Sequence, residues 1–269
     1  MNRTVIFSDL DGTLLDPSTY SFEQASKALE LIRKREIPLV LVSSKTRAEI
    51  EVWRARLGNQ HPFISENGGG IFVPKGYFPF PLEGIPREGY DVISLGTPYE
   101  SIRRRFADLR LRLGAAVRGF GDMTAEEVMV LTNLPREEAV LARQREFSEP
   151  FVFEAGADDL FLREIEGAGL RWTRGRFFHI MGDHHKGRAV TMLSRLYARR
   201  FGSLTTVGMG DNLNDLPFLL VVDRPVLVRK PPEAQREQFS FPGLLQTGRE
   251  GPAGWNEAVL KLLDQGRGR

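Results

Sequence analysis

Val5-Ile6-Phe7 is a short unbroken apolar run, the pattern of a strand covered on both faces of a parallel sheet. Ser21-x-x-Gln24 has capping-box spacing, and Phe22, Ala25, Ala28, Leu29 and Ile32 follow on one face of a predicted helix. A second apolar run, Ile37 to Val42, completes a strand–helix–strand unit, whose strands lie parallel. Thr46-x-x-Glu49 caps the next predicted helix, which carries Ile50, Trp53 and Leu57 and stops at Gly58. Phe63-Ile64-Ser65 and Ile71-Phe72-Val73, separated by a glycine-rich turn, predict a hairpin.

The texture then changes. Pro79, Pro81 and Pro86 with Gly84 and Gly89 mark a connector. A strand over 91–95 precedes a helix with Tyr99, Ile102, Phe106, Leu109 and Leu113 on one face. Thr124-x-x-Glu127 starts a short helix, and 135–147 reads as another. Strands are predicted at 151–153, 160–165, 170–173 and 176–181. Successive strands with few helices between them predict an α+β module over 84–184, inserted into a domain made of 1–83 and 185–269. The α/β texture returns with a helix from Lys186 carrying Ala189, Met192, Leu193 and Leu196. A strand at 204–209, a helix through 216–220 and a strand at 225–228 follow. The last helix, from about Asn256, carries Val259, Leu260 and Leu263, and the Gly-Arg-Gly-Arg end is expected to fray. The expected fold class is α/β: a doubly wound, Rossmann-like parallel sheet with an inserted α+β module.

Composition narrows the chemistry. Apolar residues make up 41% and charged residues 27% of 269, an ordinary soluble composition. Cysteine is absent, which excludes disulfides, iron–sulfur clusters, thiolate zinc sites and cysteine nucleophiles. No apolar run approaches the roughly 20 residues of a membrane span, and the chain enters its first strand without a signal pattern. A cytoplasmic protein without membrane contact is expected. The net charge is +2 and the pI about 9.0; basic and acidic residues are interspersed, so no nucleic-acid partner is expected. The cluster Arg171, Arg174 and Arg176 suits a small anionic ligand. The composition leaves monomer and homodimer both open.

Asp9 and Asp11 end the first strand on the same side, with Leu10 pointing away and Gly12 making the turn. Taken alone, the pair is better explained by a capped turn than by a bound cation. Ser43 and Ser44 end the second strand, and Asp211, Asn214 and Asp215 end a third. In an open parallel sheet these ends form one ligand edge. Their donors are all oxygen, with histidine scarce, which suits magnesium and not zinc. Magnesium shares its shell with phosphate oxygens, so phosphoryl chemistry follows from the donor set. One of the two opening aspartates is then free to attack phosphorus and the other to move a proton. Lys186, just before a helix, is the cation available to the transferring group. His184 and His185 have no third ligand nearby in sequence, so no metal is assigned to them.

Four segments, in order, resemble the motifs of the haloacid dehalogenase superfamily: Asp9-Leu10-Asp11-Gly12-Thr13, Ser43, Lys186-Gly187 and Gly210-Asp211-x-x-Asn214-Asp215. The resemblance covers about 1–75 and 185–230, and the insert is similar to the α/β cap of the sugar-phosphatase branch. A narrower resemblance, to mannosyl-3-phosphoglycerate phosphatases, rests on residues 42–49, Ile64 to Phe72, and Arg176-Phe177-Phe178-His179 with Lys186-Gly187. It implies Mg2+-dependent hydrolysis of a phosphorylated sugar-acid glycoside through a phosphoaspartate. Asp9 is then the nucleophile and Asp11 the general acid/base. The metal would be held by the Asp9 side chain, the Asp11 backbone carbonyl and Asp211. Ser43 would bind the phosphoryl group, Lys186 would hold Asp9 and the phosphate together, and Asn214 and Asp215 would support the site. Proteins of this branch commonly read Thr-Gly-Arg where this chain has Ser43-Ser44-Lys45, which leaves open which serine acts. Ser44, Lys45, Glu66, Asn67, Gly68, Gly69, Arg176 and His179 are the expected phosphate or substrate contacts. Other sugar phosphatases, acting on sucrose, trehalose or hexose phosphates, and phosphomutases remain alternatives, as does a purely binding protein for nucleic acid or small anions.

Overall fold

A computed structural model of the chain describes residues 3–231 and 239–265; the predicted frayed end at 266–269 lies outside them. In chain order the first elements are β1 (Arg3–Ser8), α1 (Ser26–Lys34), β2 (Leu39–Val42), α2 (Arg47–Leu57), β3 (Phe63–Ser65), β4 (Gly70–Pro74), β5 (Ile85–Arg87) and β6 (Tyr90–Ser94). The middle of the chain forms α3 (Tyr99–Leu113), β7 (Val117–Gly119), α4 (Ala125–Thr132), α5 (Arg136–Ala142), β8 (Ser148–Phe153), α6 (Asp159–Gly167), β9 (Arg171–Arg174) and β10 (Phe178–Met181). It closes with α7 (Lys186–Phe201), β11 (Leu204–Gly210), α8 (Leu216–Leu219), β12 (Arg224–Arg229), β13 (Leu245–Glu250) and α9 (Gly251–Gln265).

The large sheet has the order β13-β12-β11-β1-β2-β3-β4-β6-β5. From β13 to β3 the neighbours are parallel; β4, β6 and β5 extend it antiparallel. Strand alternation gives each face its own core. Ile6, Leu39 and Leu41 pack with Leu29, Trp53, Trp255 and Val259 of α1, α2 and α9. Val5, Phe7, Val40 and Val42 pack with Val190, Leu193, Phe218 and Leu219 of α7 and α8. The sheet is therefore covered on both sides, as its unbroken apolar strands require. No helix among the described residues is long and apolar enough to cross a membrane.

A second sheet, antiparallel with the order β7-β8-β10-β9, stands over the first. Helices α3 and α6 cover one face through Phe106, Phe161 and Ile165 against Phe151 and Ile180. Part of the other face meets α4 and α5, where Val128 and Ala139 pack with Val152 and Phe177. Five readings of the sequence change here. The run 160–165, taken as a strand, lies in helix α6, because Asp158 accepts from the Leu160 and Phe161 amides and caps it. The stretch 135–147 ends its helix at Ala142, and β8 begins at Ser148. Ser21 accepts from the Glu23 amide and opens a 3-10 turn instead of a capping box with Gln24. Arg176 and Phe177 precede β10 instead of starting it. Residues 84–94, assigned to the insert, supply β5 and β6 at the edge of the large sheet, so the second sheet's segment begins after Ser94.

The segment joining α5 to β8 is tied to the large domain by a buried ion pair. Glu66, fully buried after β3, faces Arg145 at 3.2 Å. It also accepts from the Glu146 and Phe147 amides and the Ser148 hydroxyl. Arg145 in turn donates to the Ser44 carbonyl at 3.0 Å. Burial raises the Glu66 pKa, and Arg145 and these donors oppose it. Gly96 leaves room beside this joint: a Cβ there would sit 2.8 Å from the Phe147 Cβ. Removing one partner of a buried ion pair strands the other charge. Glu66→Gln is therefore expected to lose about 3 kcal/mol of unfolding free energy, read from urea denaturation; an unchanged midpoint would contradict the tie.

Candidate active site

Three neighbouring strands end at one point. β1 continues into Asp9, whose amide donates to the Met209 carbonyl of β11 at 2.9 Å. The chain then folds back, with the Thr13 and Leu15 amides both bonded to the Leu10 carbonyl. Gly12 has φ +78°, and a Cβ on it would lie 2.8 Å from Asp211 Oδ2. Glycine thus permits both the turn and the close approach of the β11 end. Thr13 Oγ1 donates to Asp211 Oδ1 at 3.0 Å. Past β11, Asp215 Oδ2 accepts from the Asp211 and Asn212 amides at 3.0 Å each, which fixes that loop.

Lys186, the first residue of α7, enters this cluster from below with none of its surface exposed. Its Nζ lies 2.8 Å from Asp9 Oδ1 and 2.5 Å from Asp215 Oδ1. Ligand oxygens of Asp9, Asp211 and Asp215 lie within 4.8 Å of one another, all three residues buried. Burial, joined by the charges of Asp215 and Asp211, pushes the Asp9 carboxyl well up, while Lys186 pulls it down. Burial and Asp215 push Asp211 up to about 6, opposed by Lys230, whose Nζ is 3.3 Å from Asp211 Oδ2. Burial lowers the Lys186 amine, but Asp215 and Asp9 outweigh it and hold the ammonium above its ordinary value.

This donor set fits a hard divalent cation. All donors are oxygens, and the two ammonium groups in contact leave one of the three carboxylate charges unmatched. Asp215 is already engaged by Lys186 and two amides, so Asp9 and Asp211 are the carboxylates with capacity to spare. The Asp11 carboxylate is drawn elsewhere. Its Oδ2 pairs with Lys45 Nζ at 3.0 Å, and its Oδ1 is buried without a partner. Lys45 also meets Glu49 at 3.6 Å and lies over the Tyr20 ring. Burial lowers its amine, and the Asp11 and Glu49 charges more than restore it.

Ser43 and Ser44 differ in placement. Ser43 is buried at the end of β2, and its Oγ accepts from the Lys45 amide at 3.2 Å, leaving its own proton available. Ser44 lines the open space. That space is a cavity of about 720 Å³ reached by Asp9, Asp11, Ser44, Arg176, Asp211 and Asn214. A smaller chamber of about 80 Å³ adjoins it at Asp11, Ser44 and Arg176 and reaches Lys45, Arg145 and His179. Asn67 sits behind the cavity, accepting from Asn214 Nδ2 at 3.1 Å. The structure thus gathers Asp9, Asp11, Ser43, Ser44, Lys45, Asn67, Arg176, His179, Lys186, Asp211, Asn214 and Asp215 around one cleft. Three expected substrate contacts lie elsewhere. Glu66 is spent on the Arg145 tie. Gly68 gives room to the His185 carbonyl, and Gly69 to the Phe147 side chain. Tyr20, Arg145 and Lys230 also meet the site and were not singled out from sequence, and Thr13 was read there only as the end of the first motif. Lys230 follows β12, the strand beside β11, and that neighbouring strand-end position was its one signal.

Residues 6–78 match the family of haloacid dehalogenase-like hydrolases. Over 265 residues, 97% of each protein, the chain is 44% identical to the glucosyl-3-phosphoglycerate/mannosyl-3-phosphoglycerate phosphatase of Methanococcoides burtonii. It is 38% identical over 225 residues to the mannosyl-3-phosphoglycerate phosphatase of Pyrococcus horikoshii, covering 83% of this chain and 90% of that one. In fold it is similar to the sucrose-phosphatase of Synechocystis, with a TM-score of 0.63 at 14% identity over 97% of this chain and 98% of that one. A haloacid dehalogenase subclass IIB sugar phosphatase gives a TM-score of 0.64 at 15% identity over 98% and 99%. With its carboxylate cluster on the sheet edge and a relative this similar along nearly its whole length, the chain belongs to the haloacid dehalogenase-like hydrolases.

Proposed function

We propose that this protein is a magnesium-dependent phosphatase that removes the phosphate of mannosyl- or glucosyl-3-phosphoglycerate through a phosphoaspartate at Asp9. One observation carries the reading. Asp9 is held by a fully buried lysine while Asp11, two residues on, carries its own buried lysine partner. Two carboxylates at one strand end are thereby given different environments and different work. The relatives named for these substrates, 44% and 42% identical with both sugars in their names and 38% with mannose alone, support the substrate.

Lys186 fixes Asp9 Oδ1, which leaves Oδ2 to attack phosphorus. The new Oδ2–P bond forms as the ester P–O bond breaks, and its electron pair goes to the glycerate oxygen. Asp11 Oδ1, unpartnered, delivers the proton to that oxygen while Lys45 steadies Oδ2. The resulting Asp11 carboxylate then takes a proton from water, whose oxygen attacks phosphorus and frees Asp9. Ser43 has a hydroxyl proton to give to the phosphoryl oxygens, and Asn214 a place on the cavity wall. Magnesium, held by Asp9, Asp211 and the Asp11 carbonyl, supplies positive charge against the phosphoryl group when bound. The inserted module, after residue 94, acts as a cap that brings Arg176 and His179 over the cleft.

Three outcomes follow for phosphate release from mannosyl- and glucosyl-3-phosphoglycerate. Asp9→Asn folds normally and loses at least about 10^4-fold in kcat; substantial residual activity would rule out Asp9 as nucleophile. Lys186→Met loses about 10^2- to 10^3-fold, because a buried cation on the reacting groups is removed. Chelation with EDTA stops release and added magnesium restores it; full activity in EDTA would refute the metal requirement.

A further inference from the structure

The backbone at Asp9 is held in a way that the chemistry above does not use. The Asp9 amide donates to the Met209 carbonyl at 2.9 Å, in line with the β1–β11 ladder. In a parallel pair the next bond would run from the Asp211 amide to the Asp9 carbonyl. That amide donates to Asp215 Oδ2 instead, at 3.0 Å. The ladder thus releases Asp211 into the carboxylate cluster, and the Asp9 carbonyl needs another donor. Asp9 is only 7% exposed, and a buried carbonyl without a donor is costly. Ser8 supplies one: its Oγ donates to the Asp9 carbonyl at 2.7 Å.

Alternation along β1 turns Ser8 away from the Asp9 side chain, onto the face where Ile6 packs with Trp255 of α9. Trp255 Nε1 donates to Ser8 Oγ at 3.0 Å, and neither residue has exposed surface. An indole N–H can only donate, so the hydroxyl accepts from it and spends its one proton on Asp9. Helix α9 is itself braced. Glu257 accepts from the Gly248 and Arg249 amides at 3.3 and 3.2 Å, and Asn256 from the Ala28 amide of α1 at 2.9 Å. Gly254 lies against the Arg249 carbonyl, where a Cβ has no room. A buried indole on a helix tied in this way is a fixed post.

We propose that Ser8 and Trp255 are positioning residues for the nucleophile, a relay from α9 that fixes the peptide plane after Asp9. Asp9 is then held at three points: its amide by β11, its carbonyl by Ser8 and its Oδ1 by Lys186. Together these set the direction of the Cα–Cβ bond and aim Oδ2. Neither Ser8 nor Trp255 lines the large cavity or the smaller chamber, so the relay acts on the reacting geometry and not on binding. An error of about 1 Å in the attacking atom is worth about 10^2 in rate. The inference rests on the phosphoaspartate reading above and is independent of which sugar the substrate carries.

An isosteric pair isolates the hydroxyl. Ser8→Thr keeps the Oγ proton and adds a methyl; Ser8→Val adds the same methyl and puts another in place of the hydroxyl. Phosphate release from mannosyl-3-phosphoglycerate and from p-nitrophenyl phosphate is measured for these two, for Trp255→Phe and for the Ser8→Val/Trp255→Phe double variant. Circular dichroism at the assay temperature establishes that each is folded, and Ser8→Ala replaces Ser8→Val where valine does not fold. Ser8→Val is expected to lower kcat about 10- to 100-fold with KM changed less than about threefold. Ser8→Thr is expected to restore kcat to within about threefold of wild type. Trp255→Phe is expected to cost about three- to tenfold in kcat alone and less than about twofold on top of Ser8→Val, because the relay is already broken. A folded Ser8→Val with wild-type kcat overturns the proposal. So does a Ser8→Thr that falls as far as Ser8→Val, which would show packing alone. Fully additive losses overturn the relay by separating Trp255 from Ser8. A wild type that turns over without a phosphoaspartate at residue 9 overturns instead the reading on which the inference rests.

Discussion

A lysine with no exposed surface stands between two aspartates at the end of a parallel sheet, and the remaining architecture keeps it there. Lys186 touches Asp9 from β1 and Asp215 from the loop after β11. Burying three carboxylates together is costly unless they are paired. The adjacency of β1 and β11 brings them together, and the N-terminus of α7 delivers the compensating charge. The compensation is incomplete by design of the cluster. Lys186 and Lys230 leave one negative charge unmatched, and burial, joined by the neighbouring carboxylates, raises the pKa values of Asp9 and Asp211. A hard cation is the chemical group that matches that charge.

The second feature is the separation of the two strand-end aspartates. Side-chain alternation puts Asp9 and Asp11 on one side, where equal environments would make them a repelling pair. Lys186 takes one and Lys45 the other. Asp9 lines the large cavity alone, and Asp11 the junction between that cavity and the smaller chamber. On the proposed mechanism, Asp9 would then face the phosphate and Asp11 the leaving group.

Much of this was legible in the sequence, and what was not has physical causes. The strands β1, β2 and β11 read clearly because they are buried on both faces and so unbroken in hydrophobicity. The placing of Asp9, Asp11, Lys186 and Asp211 at one sheet edge was legible because each lies at a strand end or helix start, where position implies direction. The run 160–165 was misread because a short apolar stretch has no periodicity to separate helix from strand; Asp158, the cap that decides it, was the overlooked signal. Strand β13 was missed because an edge strand reading Leu-Gln-Thr-Gly-Arg-Glu is polar and mostly exposed. Glu66 was misassigned for a different reason. Its partner, Arg145, is distant along the chain, and nothing local announces a pair that only the docking of the insert creates.

On the proposed mechanism, the Lys186-held Asp9 carries the phosphoryl group during turnover. Turnover of mannosyl-3-phosphoglycerate, quenched in acid and treated with borohydride, would reduce an aspartyl phosphate to homoserine. Peptide mass spectrometry then reads the modified position. Homoserine at residue 9, absent when substrate is withheld, is the predicted result. Rapid turnover with an unmodified residue 9, or homoserine at Asp11 or Asp211 instead, would contradict the account.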